Sequence, residues 1–162
     1  MRLTHLKKGE VHMVDVGAKA ETERSATARG TITMSAAAMR TIRREGIKKG
    51  DLVATAKLAG ILAAKRVPEL IPLAHPIRLT GVEIEVSPTA RGFSVVATAR
   101  TMDRTGVEME AVTAAAVALL TLYDMAKALD KGMMIGPVVL LEKRGGKSGT
   151  YRRRLTIVRR FR

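Results

Sequence analysis

The longest uncharged apolar stretch of the sequence runs for 13 residues, from Ala111 to Tyr123, inside a segment with helical periodicity. Because crossing a bilayer takes about 20 apolar residues, the stretch predicts the buried helix of a folded domain. The helix should extend from about Glu108 to Asp130, with Gly132 beyond its end. A helix that is apolar on nearly all sides is expected to be covered on most of them.

Shorter periodic segments surround this helix and complete the fold prediction. Alternation predicts strands and 3.6-residue spacing predicts helices. The predicted strands are 27–33, 82–86, 93–99 and 138–141, and the earlier helices are 35–45 and 51–67. Two prolines should keep 70–76 extended, and 1–25 should form a loop-rich arm. The order predicts an α+β protein, a ferredoxin-like βαββαβ sandwich with an extra helix and an antiparallel sheet.

Length and charge divide the chain unevenly. The 162 residues suit a single domain, residues 1–149, followed by a basic C-terminal tail, residues 150–162. Residues 143–162 carry nine Lys and Arg and no acid, which accounts for most of the net charge of +14. The tail is either a solvated terminus or a contact for nucleic acid or an acidic partner.

Composition excludes several classes of site. The chain has no Cys, so disulfides, thiolate zinc sites, iron–sulfur clusters and cysteine catalysis are excluded. Its three His are too few and too scattered for a histidine metal site, and no metal site is predicted. The first 20 residues contain no apolar block of the kind a secretory signal needs. We expect a cytoplasmic protein without a membrane contact.

Asp124 and Lys127 are one turn apart within the apolar helix. Charged groups are costly in a buried helix unless they are paired or functional. They are either a simple ion pair or an acid/base pair that faces a pocket or a subunit interface. In a desolvated site, the lysine could lose its proton near neutral pH.

Two further segments carry candidate ligand contacts. Glu108 and Glu110 either favour the positive helix N-terminus or hydrogen-bond a polar ligand, with Met109 against an apolar ring. His75 lies between Ala74 and Pro76. It is either a structural histidine or a proton donor and ligand contact.

Cations near turns form the last candidate group. Gly146–Ser148 looks like the end of a phosphate-binding P-loop, but Leu141 stands five positions before Gly146, where that motif needs its first glycine. A glycine-rich loop bearing Lys143 and Lys147 could still bind an anion. Lys49 and Lys65 are predicted at helix ends. Together with Arg24, these cations are either solvated or able to neutralise a polyphosphate.

The same segments resemble the cyclic pyranopterin monophosphate synthase family of molybdenum-cofactor biosynthesis. The matching stretches are His12–Val16, Ala18–Lys19, Lys48–Asp51, Ala59–Ile61, Ala63–Arg66, Leu70–Pro76, Thr105–Ala111, Leu122–Ala128 and Gly145–Gly149. The resemblance implies conversion of (8S)-3′,8-cyclo-7,8-dihydroguanosine 5′-triphosphate into cyclic pyranopterin monophosphate and pyrophosphate. That reaction involves no net redox change. The family lyase would need no cofactor, although Mg²⁺ could accompany the triphosphate.

The resemblance also assigns roles to residues of this chain. It implies that Asp124, Lys127, Lys49 and Lys143 are catalytic. The implied substrate contacts are Leu73, Ala74, His75, Glu108, Met109, Glu110, Arg24 and Lys65. Ala74 and Ala126 stand where many family members have Cys, so thiols do not carry the chemistry here.

Partners follow from the same resemblance. It implies a homohexamer, a trimer of dimers with sites at subunit interfaces, acting after a radical enzyme that cyclises GTP. Nucleic acid is not expected as a partner. The alternative is a non-enzymatic RNA-binding α+β domain that uses the basic tail, because the tail carries two of the chain's four aromatic residues among its cations.

Overall fold

A six-stranded antiparallel sheet organises the protein. The computed structural model describes residues 6–7, 10–45 and 50–154. The sheet strands are β3 (Thr22–Thr33), β4 (Leu79–Thr89), β5 (Gly92–Asp103), β6 (Met134–Ile135), β7 (Val139–Arg144) and β8 (Tyr151–Arg152). Their order is β4-β5-β3-β7-β8, and β6 pairs with the end of β3. A separate two-stranded ladder joins β1 (Leu6–Lys7) to β2 (Glu10–Val11).

Four helices complete the fold. They are α1 (Ala36–Glu45), α2 (Leu52–Lys65), α3 (Val67–Leu70) and α4 (Glu108–Ala126). The last of them packs along β3 and β5, and α2 lies beside it and reaches β4. Gly60 lets α2 approach α4 closely, because a Cβ at this position would lie 2.8 Å from the carbonyl oxygen of Ala114.

Small side chains form much of the core between the sheet and the helices. Ala26 and Ala28 of β3 and Ala97 and Ala99 of β5 are each at most 1% exposed. Alternation along a strand turns these residues to one face, where α4 contributes Leu119 and further alanines. The long apolar helix is therefore a core helix on one side, and its other side stays open in the single chain.

The predicted α+β class and antiparallel sheet are confirmed. The four long strands and the helices between them follow the βαββαβ order, consistent with a ferredoxin-like arrangement. Asp51 caps α2, because its Oδ1 accepts hydrogen bonds from the amides of Val53 and Ala54, both at 2.9 Å. Ser35 likewise accepts from the amide of Ala38 at 3.2 Å.

Several boundaries differ from the prediction for identifiable reasons. The arm predicted over 1–25 ends early, because β3 begins at Thr22 and pairs with Asp103. Within the segment predicted to be extended, 70–76, the structure instead has the end of the short helix α3, followed by a turn. Pro68 favours this helix because a proline is tolerated in a first turn.

The long helix also ends sooner than predicted. It stops at Ala126 instead of Asp130. The Asp130 carboxylate is held in a turn by the amides of Ser35 at 2.7 Å and Gly132 at 2.8 Å. These contacts lower the pKa of Asp130 below its usual value. Local side-chain hydrogen bonds compete with the helix at this point.

Candidate functional site

A basic cavity opens where β3, β7 and the loop before α4 meet. We call it the large cavity, and its volume is about 750 Å³. Its lining residues are Lys19, Ala20, Thr22, Arg24, Ser25, Arg104, Thr105, Gly106, Val107, Glu108, Lys143, Arg144, Gly145, Gly146, Lys147 and Ser148. Six of these are Lys or Arg and one is acidic, so the cavity favours a polyanion.

Arg24 is fixed on the wall of the large cavity. Its Nε donates to the carbonyl oxygen of Asp103 at 2.8 Å. The guanidinium lies against the glycine loop, where a Cβ on Gly146 would overlap Nη1 of Arg24. Gly146 also has a positive φ of 73°, a conformation that glycine adopts without steric cost. The loop and the arginine therefore form one surface with fixed donors.

Lys143 projects from β7 into the same cavity. Its Nζ donates to Oγ of Ser148 at 2.5 Å and lies 3.4 Å from Oε1 of Glu108. The lysine side chain is only 22% exposed. Two partners on different elements therefore hold this cation in place at the mouth of the glycine loop.

Two polar atoms on the cavity wall have no hydrogen-bond partner. They are the buried Oγ1 of Thr22 and the buried Nε of Arg104. Glu21 faces that Nε at 3.7 Å, which is too long for a hydrogen bond. Buried polar atoms normally have hydrogen-bond partners. A polar ligand in the large cavity would supply the partners that Thr22 and Arg104 lack.

A second, smaller cavity adjoins the first. We call it the small cavity, and its volume is about 330 Å³. Its lining residues are Val14, Val16, Lys19, Leu73, Ala74, His75, Ile77, Thr105, Gly106, Glu108, Met109 and Glu110. Lys19, Thr105, Gly106 and Glu108 line both cavities. The small cavity thus combines apolar walls with an imidazole and two carboxyl groups.

His75 holds the N-terminal arm against this cavity. Its Nε2 lies 2.7 Å from the carbonyl oxygen of Val14. Because a carbonyl only accepts, Nε2 carries the proton, and Nδ1 of the neutral ring is an acceptor. The arm in turn brings Val14 and Val16 into the wall.

Glu110 is the most perturbed acid of the small cavity. It is 2% exposed, and burial raises its pKa to about 7, with a further upward contribution from the charge of Glu108. Near neutral pH the carboxyl can therefore either donate or accept a hydrogen bond. That suits recognition of a polar ring edge.

The titration of Glu110 predicts a pH-dependent stability. Between its ordinary pKa of 4.5 and about 7, the folded chain binds more protons than the unfolded chain. The free energy of unfolding should therefore fall as pH rises through this window, by at most about 3 kcal/mol. Chemical denaturation of the wild type and Glu110→Gln at pH 5 and pH 8 measures the difference. If the free energy of unfolding changed equally between pH 5 and pH 8 in both proteins, the raised pKa of Glu110 would be contradicted.

Asp124 and Lys127 occupy a different part of the molecule. Their side chains are 58% and 52% exposed, and Lys127 Nζ lies 2.5 Å from Asp124 Oδ1. The expectation that they are buried is wrong for the single chain, because the side of α4 that carries them faces away from the sheet. The hydrogen bond raises the pKa of Lys127, so the single chain does not prepare this lysine as a base.

The helix itself separates the pair from the cavities. Asp124 is sixteen positions after Glu108 on α4, which is about 24 Å at 1.5 Å per residue. Near the pair is an open cleft of about 460 Å³, lined by Tyr123, Lys127, Ala128 and Lys131. One chain therefore does not bring Asp124 and Lys143 to a common ligand.

One other predicted cation does not line the cavities, and a second cannot be placed. Lys65 is exposed at the end of α2 and lines neither the large nor the small cavity. Lys49 lies outside the described residues. Their functional roles remain predictions.

Three basic residues of the large cavity were not predicted as site residues. Lys19, Arg104 and Arg144 line it, but only Lys19 falls in a stretch that matched the family. Lys147, in the glycine loop, was predicted as an anion contact and lines the cavity too. Arg104 reaches the arm as well, since its Nη1 donates to the carbonyl oxygen of Gly17 at 3.1 Å. Its position directly before Thr105–Glu110 could have pointed to it.

The geometry suits a compact polyanion in the large cavity and a polar ring in the small one. Among the described residues, no group of three or more His, Cys, Asp or Glu could hold a metal ion. This arrangement defines an α+β protein whose site is built for a small anionic ligand.

The chain belongs to the MoaC family, whose model matches residues 13–146. Relatives named cyclic pyranopterin monophosphate synthase align over nearly the whole chain. The Novosphingobium aromaticivorans protein is 55% identical over 151 residues, covering 93% of this chain and 96% of its own. The Parvibaculum lavamentivorans protein is 51% identical over 154 residues, covering the same shares. The Rhodospirillum rubrum protein is 55% identical over 152 residues, covering 92% of each.

Proposed function

We propose that the two cavities bind the two halves of one (8S)-3′,8-cyclo-7,8-dihydroguanosine 5′-triphosphate molecule. The chain is a cyclic pyranopterin monophosphate synthase, a lyase of molybdenum-cofactor biosynthesis, and it releases pyrophosphate. The observation that carries the proposal is the shared wall: a strongly basic cavity opens directly beside a cavity with a buried carboxyl group.

The large cavity would take the triphosphate. Arg24 presents a fixed guanidinium, and Lys143 a half-buried ammonium group. Arginine suits phosphate oxygens by its fork, and lysine supplies a point charge. When one phosphoryl group is attacked and pyrophosphate leaves, charge develops on the phosphate oxygens. Cations already held in place stabilise that charge without reorganising.

The small cavity would take the guanine-derived ring. Met109 and Leu73 supply apolar contacts, while Glu110 and His75 offer hydrogen-bonding groups. Glu110, with its pKa near 7, can match either a donor or an acceptor on the ring edge. The sugar and the first phosphate would then lie at the shared wall, beside Lys19 and Glu108.

Asp124 and Lys127 would complete this site from a second subunit. They are too far from the cavities along α4 to act within one chain, and they stand exposed. Large apolar side chains stand exposed on the same helical layer, with Leu58 at 59%, Leu62 at 48% and Leu120 at 57%. Such a surface favours association with another copy. We infer a homohexamer, built as a trimer of dimers with sites between subunits.

In that assembly, the pair would move protons on the ring and the sugar. Desolvation by the second subunit would oppose the upward pKa shift that Lys127 shows in the single chain. Lys49 and Lys65 would add positive charge for the triphosphate. No redox cofactor is needed, and any Mg²⁺ would enter with the triphosphate. The enzyme would act in the cytoplasm, after a radical enzyme that cyclises GTP.

Incubation with the cyclised nucleotide tests the function. We expect release of pyrophosphate and a product that oxidises to a fluorescent pterin, in equal amounts. GTP in the same assay should give neither signal, because it lacks the bond that the cyclising enzyme introduces. Absence of both signals with the cyclised nucleotide would contradict the function.

The RNA-binding alternative rests on the basic tail. Of residues 150–162 the structure describes 150–154, and Tyr151–Arg152 form strand β8 of the sheet. This part of the predicted tail is therefore a structural edge strand. Tight, salt-sensitive RNA binding without pterin product would favour the alternative.

A further inference from the structure

The glycine loop that walls the large cavity is held at its far end by strand β8. Gly145, Gly146 and Gly149 have φ values of 90°, 73° and 65°. A loop with three such residues has many conformations open to it. Its start is fixed because β7 pairs with β3, placing Lys143 opposite Ala26.

The far end of the loop is fixed by main-chain pairing. In the β7–β8 ladder, Lys143 stands opposite Tyr151 and Glu142 opposite Arg152. The amide of Arg153 then donates to the carbonyl oxygen of Leu141 at 2.7 Å. The strand thus runs directly beside the cavity lysine without lining the cavity itself.

A side-chain bridge joins the same two strands. Oε1 of Glu142 accepts from Nε of Arg144 at 2.7 Å and from Nε of Arg152 at 2.9 Å. Both arginines lower the pKa of Glu142. Arg144 lines the large cavity and Arg152 does not. Because Arg152 is 70% exposed, the bridge adds less than the main-chain pairing.

We propose that β8 is a positioning element for anion binding, which holds the glycine loop, Lys143 and Lys147 in the geometry that receives the phosphate chain. Residues Tyr151–Arg153 would act through the loop, without touching the substrate. Preorganisation of this kind lowers the ordering cost of binding. The inference rests on the proposed anion-binding role of the large cavity.

Arg153→Pro tests the inference, because proline removes the amide that donates to Leu141. We expect KM for the cyclised nucleotide and Kd for inorganic pyrophosphate to rise by about three- to tenfold, with kcat within about twofold. Arg154→Pro, one residue past the strand partner, is the matched control and should behave as wild type. Thermal unfolding of both variants reports whether the fold is intact.

Arg152→Glu is the second variant, because it places a carboxylate opposite Glu142 without proline. Its matched control is Arg154→Glu, which changes the net charge equally. Should Arg153→Pro fail to fold, a higher pyrophosphate Kd in Arg152→Glu than in its control supports the inference. Equal KM and Kd in the folded variants and their controls would overturn it. A wild type that neither turns over the nucleotide nor binds pyrophosphate would instead refute the proposed function, and this inference with it.

Discussion

Asp124→Asn is expected to lower kcat by about 10²–10⁴-fold, the usual contribution of a proton-transfer group. Asparagine keeps the size of the side chain but cannot accept a proton from the ring or sugar. It also removes the charge that pairs with Lys127. Because the side chain is 58% exposed in the single chain, the stability of the subunit should change little. Steady-state kinetics with the cyclised nucleotide measures the effect.

Glu69→Gln is the control for this substitution, because it neutralises an exposed acid on α3 that lines neither cavity. It should leave kcat unchanged.

Lys127→Ala should be as inactive as Asp124→Asn if the two act as one unit. Near wild-type conversion by either variant of the pair, with an intact fold, would remove that residue from the chemistry.

Lys143→Gln should have the second large effect, a fall of about 10²–10³-fold in kcat/KM, as when one stabilising donor is lost. The variant removes a cation that two partners hold in the large cavity, Ser148 and Glu108. It also leaves Glu108 without that positive neighbour, which should raise KM because the triphosphate then meets an uncompensated carboxylate. The change in kcat reports the lost stabilisation of the transition state. The change in the Kd of inorganic pyrophosphate reports the weaker binding of the phosphate chain.

Lys57→Gln controls for the loss of one positive charge, since Lys57 lies on α2 and lines neither cavity. It should bind pyrophosphate as wild type does. Pyrophosphate affinity in Lys143→Gln that equals this control would show that the large cavity does not hold the phosphate chain.

Periodicity predicted strands β4 and β5 because each strand is buried mainly on one face. The alternation of Val82–Val86 and of Phe93–Ala99 reflects one face against the helices, so both strands were found. Their ends were missed because pairing extends the ladder into polar residues, as from Leu79 opposite Thr101 to Thr89 opposite Gly92. Main-chain pairing with a neighbour does not depend on the side chains that periodicity detects.

The same limit applies to the site. The segments around Leu73–His75 and Glu108–Glu110 were assigned to one ligand, and the fold does bring them to one cavity. Arg104 was missed because a single arginine in a loop carries no pattern. Strand β8 was assigned to the basic tail because its two residues, Tyr151–Arg152, are too few to show a periodicity, and its partner β7 is brought beside it only by the folded sheet.

The sequence could not predict whether Asp124 is buried. An apolar helix indicates that its surroundings are apolar, but not whether the chain itself or another copy provides them. In this chain the core covers the side with Leu119 and Leu122, while Leu120 and Asp124 stay exposed. The distinction decides whether the site belongs to one subunit or two.

Complementation between two inactive chains tests whether one site takes Asp124 and Lys143 from different subunits. Asp124→Asn and Lys143→Gln are co-expressed with different tags, and complexes carrying both tags are purified. In hexamers that carry both tags and whose subunits pair at random, about half of the pairs are mixed, and each mixed pair has one intact site of two. We expect recovery of about one quarter of the wild-type kcat per site. Activity no higher than that of the two parent variants would contradict it, and would place Asp124 and Lys143 in a site that each chain builds alone.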